Sequence, residues 1–580
     1  MLKKILLLVL ILALASCNVQ EIIRSYKEKG YNILEHSQGH HQVRVSEELT
    51  HIFDSGETIR SSTNLRQSLY QKYKDVTAKD LSDSFLTCSK GDKPDFLKMF
   101  AWPIGVLGND GKSQQTFLKV RDDSCFKTVF ASFELTGSDS YTIDIIASDF
   151  QGGVTCTDVI QIATSEVFHL PVLLSFASKK HTIKVTDQSA SQMEAVQKWG
   201  IHLFQTCDKI TNLLPDLYLS LQLFIGGLSD NPDGEGIWNS KPTENQVYQN
   251  IQFLLRGQEY QWQKRENPVF VDLSDTEVHS GDFIIINRFD GVDNLIQYGA
   301  GGHVGHTCVF LEMDGEMYVV ESQDGWYWPR HGVQKNTWKQ WKKWALNAGF
   351  NVAVVPLSDE NRQIFQENID SVIEFYNSME GYPYGYHNFL FGWLDDVDYN
   401  IPPITTIDYF WILFCQLEKV IPDTMSTFVG EAMNKRLGTE GLTLPQIANT
   451  IFDRGMTLQD VMNIPEQDSW VYSDGPSNVC SSFVIRIYKA AGLFGDVEVQ
   501  GTEFTPRDVC QIDFWNTSAV LPEKCTQADP NLPYCQVMGD YVLDITDDKW
   551  STVKPYDNMF ERCPSMTPLF ERDTSYPNGC

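Results

Sequence analysis

The sequence predicts a multi-domain α+β protein in which a β-sandwich-like domain precedes a larger mixed domain. Three observations lead there. A chain of 580 residues, 42% hydrophobic and 12% aromatic, has material for several cores at ordinary domain sizes. Short β-rich runs separated by turn formers fill residues 84–187. Beyond them, helical periodicity alternates with strand signals, and two apolar runs flank the turn Asp314-Gly315.

The first element is a leader. Lys3 and Lys4 precede the apolar run Ile5 to Leu14, and small residues follow, so residues 1–17 read as a signal peptide. The run is too short to span a bilayer as a mature helix. Leu14-Ala15-Ser16-Cys17 also fits the pattern at which bacterial lipoproteins are cleaved, so a lipid anchor at Cys17 stays open. Either way the chain is expected to be secreted or extracytoplasmic. Thirteen cysteines in an exported chain read as disulfides, and Cys510, Cys525, Cys535, Cys563 and Cys580 crowd a cysteine-rich tail over 501–580. A formal charge of −30, from 76 acidic and 46 basic residues, repels a phosphate backbone and argues against nucleic acid as a partner.

Residues 18–83 read as a helical N-terminal segment. Its histidines His36, His40, His41 and His51 lack a convincing set of further ligands, so no metal is expected there. Strand runs follow at Thr116 to Val120, Lys127 to Phe133, Tyr141 to Ile146 and Val167 to Phe176, the pattern of a sandwich. Residues 188–267 return to helical periodicity and read as a connector. Residues 268–500 carry the chemistry, with a mostly helical insertion at about 394–474.

Within that region, Asp474-Gly475-Pro476-Ser477-Asn478 delivers the chain into Cys480-Ser481-Ser482, with Phe483, Val484, Ile487 and Ala491 at helical spacing. Cys480 is therefore expected at a helix N-terminus, where unpaired N–H groups and the helix dipole favour a thiolate and can hold an oxyanion. A thiol nucleophile also needs an oriented base. Pairing Met313 with Glu316 across the Asp-Gly turn sets His306 opposite Gln323 and Cys308 opposite Glu321, all on one face. Either Glu321 or Gln323 is then placed to orient the His306 ring.

Gly281-Asp282 before one strand, Gly305-His306 opening the next, Val320-Glu321-Ser322 on a third and Cys480-Ser481-Ser482 on a helix resemble the permuted branch of the NlpC-type papain-like cysteine hydrolases. The resemblance covers about residues 273–495. It implies a permuted papain-like catalytic domain with Cys480 as nucleophile, His306 as base and Glu321 as third member. Tyr384, in Gly381-Tyr382-Pro383-Tyr384-Gly385, resembles the family's tyrosine-bearing helix entry, and Gln323, Tyr384 and Ser481 are the expected binding residues. The implied activity is a thiol hydrolase working through an acyl-enzyme on an amide or peptide bond. Relatives that act on lipid acyl esters or transfer acyl groups keep that substrate class open, and a non-catalytic secreted binding protein is the rival of another kind. No cofactor or metal is expected.

Two further features bear on the site. Trp338, Trp341 and Ala345 share a helical stripe beside Lys335, Lys339, Lys342 and Lys343, which reads as a packed stripe under a solvated face rather than a surface for anionic lipid. His303 lies three residues before His306 without the ligand set zinc requires, and Cys308 reads as core.

Overall fold

The computed structural model describes residues 101–109, 112–154, 156–206, 241–258, 262–300, 302–324, 332–391, 407–462, 464–546 and 550–556. The expected leader with Cys17, the helical segment 18–83 with its histidines, and Cys563 and Cys580 lie outside the described residues.

Eight antiparallel strands form two four-stranded sheets. They are β1 (Ala101–Leu107), β2 (Gln114–Leu118), β3 (Phe126–Leu135), β4 (Tyr141–Phe150), β5 (Thr157–Ala163), β6 (Val172–Ser175), β7 (Lys180–Val185) and β8 (Ile201–Thr206). The sheet orders are β1-β8-β5-β6 and β2-β3-β4-β7. Period-2 patterning turns Tyr141, Ile143, Ile145 and Ala147 of β4 inward, and residues of both sheets share one core. A disulfide joins Cys125, ahead of β3, to Cys156, ahead of β5.

The sandwich runs further than the sequence suggested. The expected boundary at 187 falls short, because the chain makes one Ser189-capped helix, Ala190–Lys198, and returns as β8 inside a sheet. All six β8 residues are buried. Phe204 meets the helix Ile407–Glu418, with ring centroids 4.8 Å from Tyr409, and the Tyr409 hydroxyl donates to Gln161 Oε1 at 3.0 Å. A strand covered on both faces loses its polar alternation, so the connector reading fails at this point.

The second domain is a six-stranded antiparallel sheet built from β9 (Phe283–Asn287), β10 (His306–Met313), β11 (Glu316–Gln323), β12 (Gly332–Thr337), β13 (Asn351–Val355) and, after the short pair β14 (Val471–Tyr472) and β15 (Gly475–Pro476), β16 (Cys535–Met538). Its order is β12-β11-β10-β9-β13-β16. Asp314 and Gly315 both adopt positive φ, as a two-residue I′ turn requires, and Met313 pairs with Glu316. One face packs Val309, Leu311 and Val320 against Phe483, Val484 and Ile487 of the helix Cys480–Ala490. The other packs Cys308, Phe310 and Val319 against Trp338 and Trp341 of the helix Trp338–Ala348. Each such fully buried side chain contributes roughly 1.5–3 kcal/mol of transfer free energy.

One boundary changes with this sheet. Residues expected to form a separate tail from 501 complete this domain: β16 pairs with β13, and Val509, Phe514 and Trp515 lie in the shared core. Cys525 is bridged to Cys535, while Cys510 sits buried in that core. The tail's apolar residues sit in short segments that meet the sheet from afar, which local periodicity does not register. The insertion is helical over its described part, from Ile407–Glu418 to Leu458–Met462, and has its own core around Trp411, Met433, Leu444 and Ile447.

Candidate active site

His306 is the first residue of β10 and lies opposite Ile286 of β9. The chain reaches it through Gly305, where a Cβ would stand 2.5 Å from the Asp293 carboxyl carbon, so no larger residue fits. Alternation turns His306, Cys308 and Phe310 toward the Trp341 face. On β11, Glu321 faces the same way. Its Oε2 accepts from His306 Nε2 at 2.9 Å and from the Cys308 thiol at 3.2 Å, and its Oε1 accepts from Trp341 Nε1 at 3.1 Å. None of the four residues is more than 4% exposed.

Burial dominates the protonation of this cluster. It pushes the His306 pKa down to about 4, so the ring is neutral at pH 7, with its Nε2 proton on Glu321. For Glu321, burial works upward, but the bond and charge at His306 and the bond from Cys308 outweigh it and hold the carboxyl below its ordinary range. Cys308 is raised well above a normal thiol by burial and by Glu321, and stays protonated. The Nδ1 atom of His306 makes no hydrogen bond among the described residues.

Cys480 opens the helix Cys480–Ala490, with Val479 extended before it and no side-chain cap on that terminus. The preceding turn is tied down from three sides. Ser322 Oγ donates to the Asn478 carbonyl at 2.7 Å, Gly385 N donates to it at 2.8 Å, and Arg486 Nη1 donates to Asn478 Oδ1 at 2.7 Å. Tyr384 forms a bridge with Asn478, two residues before Cys480.

The β10–β11 ladder ends at Val309–Val320, and beyond it the strand ends are not laddered. Phe310 N bonds toward β9, so by alternation Thr307 presents its N–H on the β11 side, into this gap. That N–H and the one of Ser481 both favour the Cys480 thiolate. Burial raises the thiol to about 11; the Thr307 N–H works against it, Asp293 adds to it, and Arg288 and the Ser481 N–H pull it down. The resting pair is therefore a neutral thiol and a neutral imidazole.

The structure thus gathers the expected residues into two adjoining groups. Glu321 rather than Gln323 holds the His306 ring; Gln323 is buried with an Oε1 that has no hydrogen-bond partner. Tyr384 and Ser481 border Cys480. Among the described residues, no hydrogen bond joins Cys480 to His306. His306 faces the Trp341 side while the Cys480 helix packs on the other. Cys480 and His306 are each 2% exposed. The packed stripe is present, with Trp338 and Trp341 buried and Lys342 paired with Asp272. Sequence reasoning missed the Trp341 bond to Glu321, the Thr307 N–H, and Asp293 and Arg288 near the sulfur. The Trp341 stripe and the Gly305-His306 step were the available signals. Among the described residues no helix is long and apolar enough to cross a membrane, and the two disulfides are compatible with an extracellular protein. Comparison with known proteins gives no match to any family model, curated protein or solved structure.

Proposed function

We propose that this chain is an exported thiol hydrolase with a permuted papain-like catalytic domain, in which Cys480 attacks an acyl carbon and His306 carries its proton. The observations that carry the reading are the pairing of His306 Nε2 with Glu321 at 2.9 Å and the place of Cys480 at an uncapped helix N-terminus. With its proton committed to Glu321, the ring offers the Nδ1 lone pair as base. In the reaction, Nδ1 accepts the Cys480 proton as sulfur bonds the acyl carbon, and returns it to the leaving group; water then releases the acid. Neutral partners fit this sequence, since proton transfer accompanies attack instead of preceding it. The Ser481 and Thr307 N–H groups, which favour the thiolate, are assigned as donors for the developing oxyanion.

Binding is assigned to Tyr384 and Ser481 around the sulfur and to Gln323, whose open Oε1 suits a substrate N–H. An amide or peptide offers that N–H and an ester does not, which favours an amide or peptide substrate over a lipid acyl ester. The test is pre-steady-state kinetics with an activated acyl ester that releases a chromophore. A burst of one equivalent per chain, absent from Cys480→Ser, supports acyl-enzyme formation. No burst from reduced wild-type protein favours the binding-protein reading.

A further inference from the structure

We infer that His306, Cys308 and Glu321 form a site for a zinc-class divalent cation that, when filled, takes the imidazole out of service as a base. One nitrogen, one sulfur and one carboxylate oxygen, all buried, lie within 4.8 Å of one another. This mixed ligand set suits zinc rather than calcium or magnesium, which prefer oxygen alone. Tetrahedral zinc with ordinary bond lengths separates such ligand atoms by about 3.4–3.6 Å. The present separations are 2.9 Å from His306 to Glu321 and 3.2 Å from Cys308 to Glu321, so the cluster needs to open by roughly half an ångström.

A second observation points the same way. Gln323 ends β11 two residues beyond Glu321, on the same face of that strand, and its Oε1 is buried without a partner. Such an oxygen is costly to bury and is suited to be the fourth ligand. Trp341 Nε1 already fixes the other oxygen of Glu321, leaving Oε2 to turn to the ion.

The protons balance as follows. The thiol of Cys308 loses one proton to solvent when its sulfur bonds the metal, and Glu321 is already ionised. The imidazole keeps its proton but moves it from Nε2 to Nδ1, because Nε2 becomes the ligand atom. Nδ1 is the atom assigned above to the Cys480 proton, so a filled site blocks catalysis. This last consequence rests on the hydrolase reading; the metal site does not.

The test uses the full reduced chain, titrated with Co²⁺ and then displaced by Zn²⁺. One equivalent of Co²⁺ is expected to bind with a thiolate-to-metal charge-transfer band and the release of one proton. Cys308→Ala should lose that band and weaken Zn²⁺ binding by more than about 100-fold, beyond what an outer-shell change gives. Cys480→Ala should keep the band. If Cys308→Ala does not fold, Glu321→Gln serves, with the same expected weakening. No stoichiometric uptake by wild-type protein, or a band that survives in Cys308→Ala, would overturn the proposal. The cobalt band reads the site whether or not Cys480 is a nucleophile, and a burst suppressed by Zn²⁺ in wild type but not in Cys308→Ala shows the regulatory consequence.

Discussion

Glu321→Gln perturbs the centre of the cluster while keeping its volume. The carboxylate accepts three donors: His306 Nε2, the Cys308 thiol and Trp341 Nε1. An amide has one oxygen, so at least one donor must face its NH₂ group. If that oxygen stays with Trp341, the NH₂ meets His306, and the ring turns its Nε2 into an acceptor by moving its proton to Nδ1. The base is then lost. In the Ser-His-Asp template a wrong imidazole tautomer costs about 10⁴ in turnover. The buried mismatch separately costs about 1–3 kcal/mol of stability, the range for an unsatisfied buried polar group. The assay is the second-order rate of acylation of Cys480 by an activated thioester, followed by intact mass, with urea unfolding alongside. A rate fall of about 10²-fold or more is expected, allowing for looser coupling than the template. Acylation at the wild-type rate in a folded Glu321→Gln variant would refute the assignment of Glu321 as the group that sets the tautomer.

Three further outcomes follow from the geometry. His306 titrates at about 4 in the folded chain against an ordinary 6.5, so the unfolded chain binds the extra proton between those values and stability falls as pH drops from 6.5 to 4, by about 3 kcal/mol from this group. Urea midpoints across that window should show a shallower slope in His306→Asn, and an unchanged slope contradicts the buried neutral ring. Removing the Cys125–Cys156 bridge, which closes a 31-residue separation, should destabilise the sandwich by about 3–4 kcal/mol by denaturant titration, and no change means the loop is already ordered when unfolded. Gly332 has φ of 96° and an added Cβ would lie 2.2 Å from the Tyr382 carbonyl oxygen, so Gly332→Ala should cost about 1–3 kcal/mol and slow Cys480 acylation through Tyr384; a wild-type urea midpoint argues against strain there.

What the sequence disclosed and concealed divides by range. The Asp314-Gly315 turn is local chemistry, and it fixed the β10–β11 register and with it the meeting of His306 with Glu321. The turn formers before Cys480 likewise set the start of its helix. Strand β8 escaped because the Tyr409 helix covers its outer face and erases alternation. Strand β16 escaped because it pairs with β13 across a long stretch of chain that no local pattern connects. The third donor to Glu321 stayed hidden because an indole in a helical stripe reads as packing, and its N–H partner depends on how that helix crosses the sheet. The face relation of Cys480 to His306 was also out of reach, since it depends on where the β10–β11 ladder ends.

The central claim is that Cys480 forms an acyl-enzyme with His306 as its base. The most direct measurement is intact-mass and peptide mapping of the reduced full chain after brief exposure to an acyl donor, with wild type and His306→Ala compared. One hydroxylamine-labile acyl group is expected on Cys480 in wild type and none in His306→Ala under the same exposure. An adduct on Cys308, or equal acylation of Cys480 in both proteins, would contradict it.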